Sequence, residues 1–168
     1  MICPDLRVLF CGINPSLYSA AVGHHFARPG NRFWKTLALA GFTPRLLSPY
    51  EEEELLDLGI GVTNLVDHAT ASAAELEPED FTRGARRLVH KLRRFNPATL
   101  AFLGLDAYRR ATGERRARPG PQPRAFAGVR TWALPNPSGL NAHYQLPELA
   151  AAYRGLALEL GFRRRAAR

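Results

Sequence analysis

The sequence predicts an α/β fold, a three-layer αβα sandwich around a central, mostly parallel sheet. Three observations point there. Four short apolar runs, Leu6–Cys11, Ile60–Val66, Thr99–Leu103 and Val129–Leu134, have the length and continuity of buried strands. Helical patterns lie between them, the alternation expected of a parallel sheet covered on both faces. Two short motifs, Gly12-Ile13-Asn14-Pro15-Ser16 and Asn136-Pro137-Ser138-Gly139-Leu140, directly follow apolar runs. Each reads as a loop at the carboxyl end of a strand, the edge where open α/β sheets bind ligands.

The first strand, Leu6–Cys11, ends on a cysteine that reads as a small buried side chain; Cys3 and Cys11 are both expected to be reduced. A helix is expected over Asn31–Ala40, after Pro29-Gly30 and stopped by Gly41. Tyr50–Leu58 is a short helix candidate whose glutamates suit the positive end of a helix dipole. After the second strand, Phe81, Ala85, Leu88, Leu92 and Phe95 recur at helical spacing and mark a core stripe. The third strand leads into a helix candidate at Asp106–Thr112. Arg115–Arg124 mixes Arg, Pro and Gly and reads as an exposed loop. After the last strand, Leu146, Leu149, Tyr153, Leu156 and Leu160 form a final stripe, and Phe162–Arg168 is a basic tail expected to fray. With 168 residues, no internal repeat and no linker, one domain over residues 1–168 is expected, large enough to bury its own core.

The net charge of +8 favours a polyanionic partner, with nucleic acid the first candidate. Only Lys35 and Lys91 are lysines among 23 basic residues, a bias that genome composition also produces. Two cysteines cannot build a metal cluster. No leader pattern and no bilayer-spanning run is present, which makes the cytoplasm the expected location and a membrane partner unexpected. The sequence holds no GxSxG elbow, no GxxxxGK[ST] loop, no HExxH and no CxxC, so serine nucleophiles, nucleotide hydrolysis and zinc hydrolysis lose support.

Four segments can carry chemistry. In Gly12–Phe26, Asn14 can hold a water or read a base edge, or simply close an Asx turn. Phe26, in a Pro/Gly-rich loop, can stack on a flat base or fill the core. Phe33 and Trp34 read as core. In Gly61–His68, Asn64 and Asp67 can share the edge with Asn14; Asp67 can orient or deprotonate a water, or cap a turn. His68 reads equally as a solvated loop residue. In Asn136–Leu140, two prolines stiffen the backbone and Gly139 permits close approach. Leu140 can wedge between bases, although single exposed leucines are common. Along the basic helix, Arg83, Arg87, Lys91 and Arg94 take one side and Arg86, His90 and Arg93 another, which reads as a solvated face.

Taken together, GINPS, HHFARPGNRFWK, GVTNLVD and LPNPSGLN, in that order from Gly12 to Asn141, resemble the mismatch-specific uracil-DNA glycosylases, close to the thymine-DNA glycosylases of the same superfamily. The helix with Glu148, Tyr153 and Arg154 also looks like the C-terminal helix of that family. The resemblance implies a uracil-DNA glycosylase-like fold and a DNA repair enzyme acting in base excision. Such an enzyme flips a damaged base and hydrolyses its N-glycosidic bond, leaving an abasic site, with no metal and no cofactor. Its implied partner is double-stranded DNA with mispaired or damaged pyrimidines, bound by a monomer. By motif position, Asn14 places the attacking water and Phe26 stacks on the flipped base. Ser16, Tyr18 and Ser19 lie near the pocket rim, with Ser16 offering a backbone N–H. Asn136 lines the pocket or binds phosphate, and Gly139 and Leu140 form the wedge facing the orphan guanine. Relatives often carry Gly at position 16 and Lys at position 64, so Ser16 and Asn64 reshape the pocket and its charge.

Asn14 does not titrate, so it can only position water. That limitation fits a dissociative route in which the base departs early and hydrogen bonds stabilise its negative charge. An ionised Asp67 would support the cationic sugar or accept the water's proton. Extrusion costs least at a mispair, which makes G·U, and also G·T, the natural targets. The rivals are a catalytically silent lesion-binding module and an RNA-binding protein using only its basic surface.

Overall fold

The computed structural model describes residues 1–162. A central sheet runs through it with strands β1 (Val8–Gly12), β2 (Ile60–Asn64), β3 (Thr99–Leu103), β4 (Gly120–Pro121) and β5 (Arg130–Leu134). Their spatial order is β2-β1-β3-β5-β4. The first four in that order are parallel, and only β4 runs antiparallel, on β5. Helices α1 (Leu17–Val22), α2 (Phe33–Ala40), α3 (Glu54–Asp57), α4 (Pro78–Phe95), α5 (Leu105–Thr112) and α6 (Leu146–Glu159) cover the two faces. The expected α/β class with a mostly parallel sheet between helices is the observed one.

Alternation along each strand sorts the core into two layers. Val8, Phe10, Ala101, Leu103, Trp132 and Leu134 face α2 and α6. Leu9, Cys11, Leu100, Phe102 and Ala133 face α4 and α5. Because both faces are covered, the strands read as unbroken apolar runs rather than alternating ones. Phe10 is fully buried, edge-on to Phe33 at 5.7 Å and to Phe42 at 5.2 Å. Cys11 is buried too, and desolvation pushes its thiol up to about 12, so it is inert as a nucleophile.

Several boundaries shift for physical reasons. The second run stops as a strand at Asn64, and the N–H groups of Leu65 and Val66 bond to the carbonyls of Gly12 and Ile13 instead. The Asn31–Ala40 helix begins at Phe33, whose N–H donates to Asn31 Oδ1. Tyr50–Leu58 divides into a 3₁₀ turn, Pro49–Glu51, and the one-turn α3. A short helix, α1, occupies part of the first motif segment, capped by Ser16 and stopped by Gly23. The Arg115–Arg124 loop is not wholly irregular, since β4 lies inside it; a two-residue Gly-Pro strand carries no alternation to betray it. Phe162 is not part of a frayed tail. It is buried, its ring tilted against Phe42 at 4.9 Å, with the Arg7 guanidinium 3.7 Å above its ring. The rest of that basic tail, residues 163–168, lies outside the described residues.

Strand order places the topological switch between β1 and β3: the chain leaves β1 toward β2 and leaves β3 toward β5. The loops after those strands diverge, and a crevice opens at their carboxyl ends.

Candidate active site

That crevice is a cleft of about 900 Å³, lined by segments following β1, β2, β3 and β5. Asn14 stands in it with its amide fixed. Nδ2 donates to Thr70 Oγ1 at 2.8 Å and to the His68 carbonyl at 3.2 Å. Both amide hydrogens are thereby used, and Oδ1 has no partner among the described residues. A side chain held in this way presents a directed acceptor, suited to receiving a hydrogen from water. Thr70 is itself anchored, donating to the Ser72 carbonyl.

Ser16 caps α1: its Oγ accepts from the Ser19 N–H at 3.1 Å and donates to Ser19 Oγ at 3.0 Å. Ser19 Oγ accepts from the Ala27 N–H at 3.0 Å, so this buried hydroxyl ties α1 to the loop carrying Phe26. Phe26 has φ 52, a left-handed conformation that a bulky residue adopts only at a cost of about 1–3 kcal/mol. The hold comes from both sides. Besides the Ala27 bond, Glu52 accepts the His25 N–H at 3.0 Å and contacts His25 Nδ1 at 2.8 Å and His24 Nδ1 at 3.2 Å. The Phe26 ring leans on Phe33 at 4.2 Å and lines the cleft. One ring thus both packs on the core and borders the cavity.

Gly12 is what lets these groups converge. A Cβ there would stand 2.6 Å from Asn64 Oδ1 and 3.1 Å from the Phe26 ring. Asn64 Oδ1 is buried and has no hydrogen-bond partner among the described residues. A buried acceptor without a donor is costly unless something supplies one. Beside it, Asp67 is half exposed and engaged by two cations, Arg87 Nε at 3.2 Å on Oδ2 and Lys91 Nζ at 3.7 Å on Oδ1. Lys91 also donates to Thr63 Oγ1 at 3.0 Å and reaches the cleft. One side of the basic helix is solvated but not unpaired: the exposed Arg87 and the half-buried Lys91 reach Asp67, and the exposed Arg83 pairs with Asp80 at 2.6 Å. Arg86, His90 and Arg93 do remain exposed.

Asn136 accepts the Ser138 N–H on Oδ1 at 2.9 Å, closing an Asx turn, while its Nδ2 has no partner among the described residues. The loop that follows is gripped by Arg32, whose guanidinium donates to the carbonyls of Pro137, Ser138, Asn141 and Tyr144. The buried Tyr153 hydroxyl fixes its start, donating to the Pro135 carbonyl at 2.9 Å. Gly139 passes against another backbone, where a Cβ would meet the Gly30 carbonyl oxygen at 2.6 Å. Leu140 projects beyond it, 71% exposed on the cleft rim.

Of the residues singled out from sequence, Asn14, Ser16, Ser19, Phe26, Asp67, Asn136 and Leu140 line one cleft. Gly139 lies behind Leu140, and Tyr18 is exposed on α1 without lining the cleft. Sequence reasoning underrated Asn64 and missed the cleft-lining Lys91, His24 and His25, along with their partner Glu52. Asn64 had a signal in its strand-end position. Lys91 had none, since only tertiary packing turns its helix face toward Asp67. Compared with known protein families, residues 1–157 match the uracil DNA glycosylase superfamily.

Proposed function

The chain belongs to the uracil DNA glycosylase superfamily, and from that premise we propose that it is a monofunctional, mismatch-specific enzyme that flips uracil out of G·U pairs in duplex DNA and hydrolyses its N-glycosidic bond. Superfamily membership supports a DNA glycosylase hydrolase acting on uracil-like lesions. The mispair preference is our reading of the motifs and of the exposed Leu140. The observation that carries the catalytic reading is the fixed Asn14 amide, with both hydrogens consumed and Oδ1 open in the cleft that Phe26 borders.

In this reading the flipped base lies against Phe26. Asn64 Oδ1, buried without a partner among the described residues, accepts the ring N–H of uracil, while Nδ2 of Asn136 can donate to a base oxygen or a phosphate. The glycosidic bond lengthens first, its electrons going to the base and leaving an oxocarbenium-like sugar. Water held on Asn14 Oδ1 adds to that carbon, and its proton passes to solvent or to a carboxylate. Asp67 supports the cation as a fixed negative charge. Its two ion pairs compete with proton acceptance, which favours the electrostatic role over the basic one. Leu140 fills the stack that the base vacates.

Incubation with a duplex carrying one G·U pair, followed by alkali, tests the glycosylase activity. Strand cleavage at the uracil, absent with G·C, is the expected result. Tight lesion binding with an intact base would instead identify a silent lesion-binding module.

A further inference from the structure

We propose that Arg28 binds a backbone phosphate of the strand whose nucleotide enters the cleft. Its placement follows from the segment it belongs to. Two residues before it, Phe26 borders the cleft. Two residues after it, Gly30 abuts Gly139, where a Cβ would stand 2.6 Å from the Gly30 carbonyl oxygen. Arg28 thus joins the aromatic ring to the loop that bears Leu140, and it lines the cleft itself. The backbone on either side is held. The Ala27 N–H donates to Ser19 Oγ at 3.0 Å, and the Arg28 carbonyl accepts the Asn31 N–H at 3.0 Å, closing a turn. The Arg32 N–H then donates to the Pro137 carbonyl at 3.0 Å, tying this turn to the Leu140 loop.

The side chain, unlike the backbone, is unengaged. Among the described residues, two Lys or Arg side chains line the cleft, Lys91 and Arg28. Lys91 donates to Thr63 Oγ1 and pairs with Asp67. Arg28 is exposed, and its guanidinium makes no hydrogen bond or ion pair among the described residues. Arg32 follows closely in sequence, but four carbonyls of the Leu140 loop take up its guanidinium. That loop, residues 135–145, contains no Lys or Arg, so it brings no permanent positive charge toward a polyanion. A forked cation on a fixed turn beside it supplies that charge, and guanidinium groups bind phosphate in bidentate fashion. A nucleotide extruded past Leu140 keeps its flanking phosphates at the mouth of the cleft, which Arg28 lines. Charge favours a phosphate over the neutral edge of a base as its partner. The assignment of DNA as the occupant rests on the function proposed above.

The test is a cycle between protein and DNA. The parent chain and Arg28→Gln are bound to a duplex with one abasic-site analogue opposite guanine, and phosphates of the analogue's strand are replaced one at a time by neutral methylphosphonates. On the unmodified duplex, Arg28→Gln should lower affinity about tenfold, leaving the melting point of the free protein unchanged. The slope of log K against log[salt] should fall by about 0.9, the loss of one phosphate contact. At one position, the methylphosphonate should weaken the parent by a similar factor and Arg28→Gln by less than about twofold, the non-additivity of a direct contact. Arg86→Gln, at an exposed position on α4, should give additive losses throughout. Additive losses at every phosphate in Arg28→Gln overturn the proposal. So does a loss seen opposite guanine but not opposite adenine, which would make Arg28 a reader of the orphan base. Non-additivity in a chain that leaves uracil in place keeps the phosphate contact and sinks the glycosylase reading alone.

Discussion

In the proposed reaction Asn14 would act through its carbonyl oxygen alone, since His68 and Thr70 take up its amide hydrogens. Asn14→Ala should therefore lower single-turnover cleavage by about 10²-fold or more while lesion binding stays within a few-fold. Unaltered cleavage would remove the residue from the water site. Asp67→Asn keeps size and removes charge, and should also cost about 10²-fold in single-turnover rate with little change in binding to an abasic-site analogue. Because the carboxylate also pairs with Arg87 and Lys91 in a half-exposed position, a purely structural role predicts something different. It predicts a lower melting point and native rates at low temperature. Leu140 separates binding from folding. At 71% exposure, its truncation should leave stability within about 0.5 kcal/mol. Affinity for a lesion duplex should nevertheless fall more than affinity for plain duplex, and equal losses would deny it a wedge role.

Two short elements depend on charged side chains that bind backbone rather than substrate. Arg32 donates to four carbonyls of the loop bearing Leu140. Arg32→Lys, a point charge in place of a fork, should fail to restore that grip. We expect weakened lesion binding in Arg32→Lys and Arg32→Ala alike, and full rescue by lysine would show that charge alone suffices. Glu52 does the same for the loop bearing Phe26. Burial pushes its carboxyl up, but the N–H and ring of His25 and the ring of His24 outweigh that and hold it low. His25 is itself held low, chiefly by burial, against the opposing pull of Glu52. Both shifts are depressions, so both contributions to stability are complete above the unfolded values and fade as pH falls. His25 should act below about pH 6.5 and Glu52 below about pH 4.3. Melting temperature against pH should show both losses, and Glu52→Gln should abolish the lower one.

At the scale of the whole molecule, the cleft exists because the strand order reverses direction between β1 and β3. The sheet must be rigid for loops from β1, β2, β3 and β5 to meet at hydrogen-bond precision. Phe10 sits at the centre of that rigidity, fully buried and packed on Phe33, which in turn supports Phe26 at 4.2 Å. Phe10→Ala should destabilise the fold by about 3–5 kcal/mol. A denaturant midpoint shifted by much less would mean that the core collapses around the gap.

The α/β class, four of the strands and most of the helices were legible in the sequence, because apolar runs and helical stripes record burial locally. The position of the site motifs was legible as well: Gly12–Ser16 begins on the last residue of β1 and Asn136–Leu140 follows β5, and strand ends on a parallel sheet share an edge. Tertiary structure decided the rest. It paired Lys91 and Arg87 with Asp67, left Asn64 Oδ1 buried without a donor among the described residues, and fastened Phe26 in a left-handed conformation through Glu52 and Ser19. It also made a strand of Gly120-Pro121 and a core residue of Phe162. Each of these depends on a partner distant along the chain, and hydrophobic periodicity, which reports only whether a residue is buried, carries no information about which partner it meets.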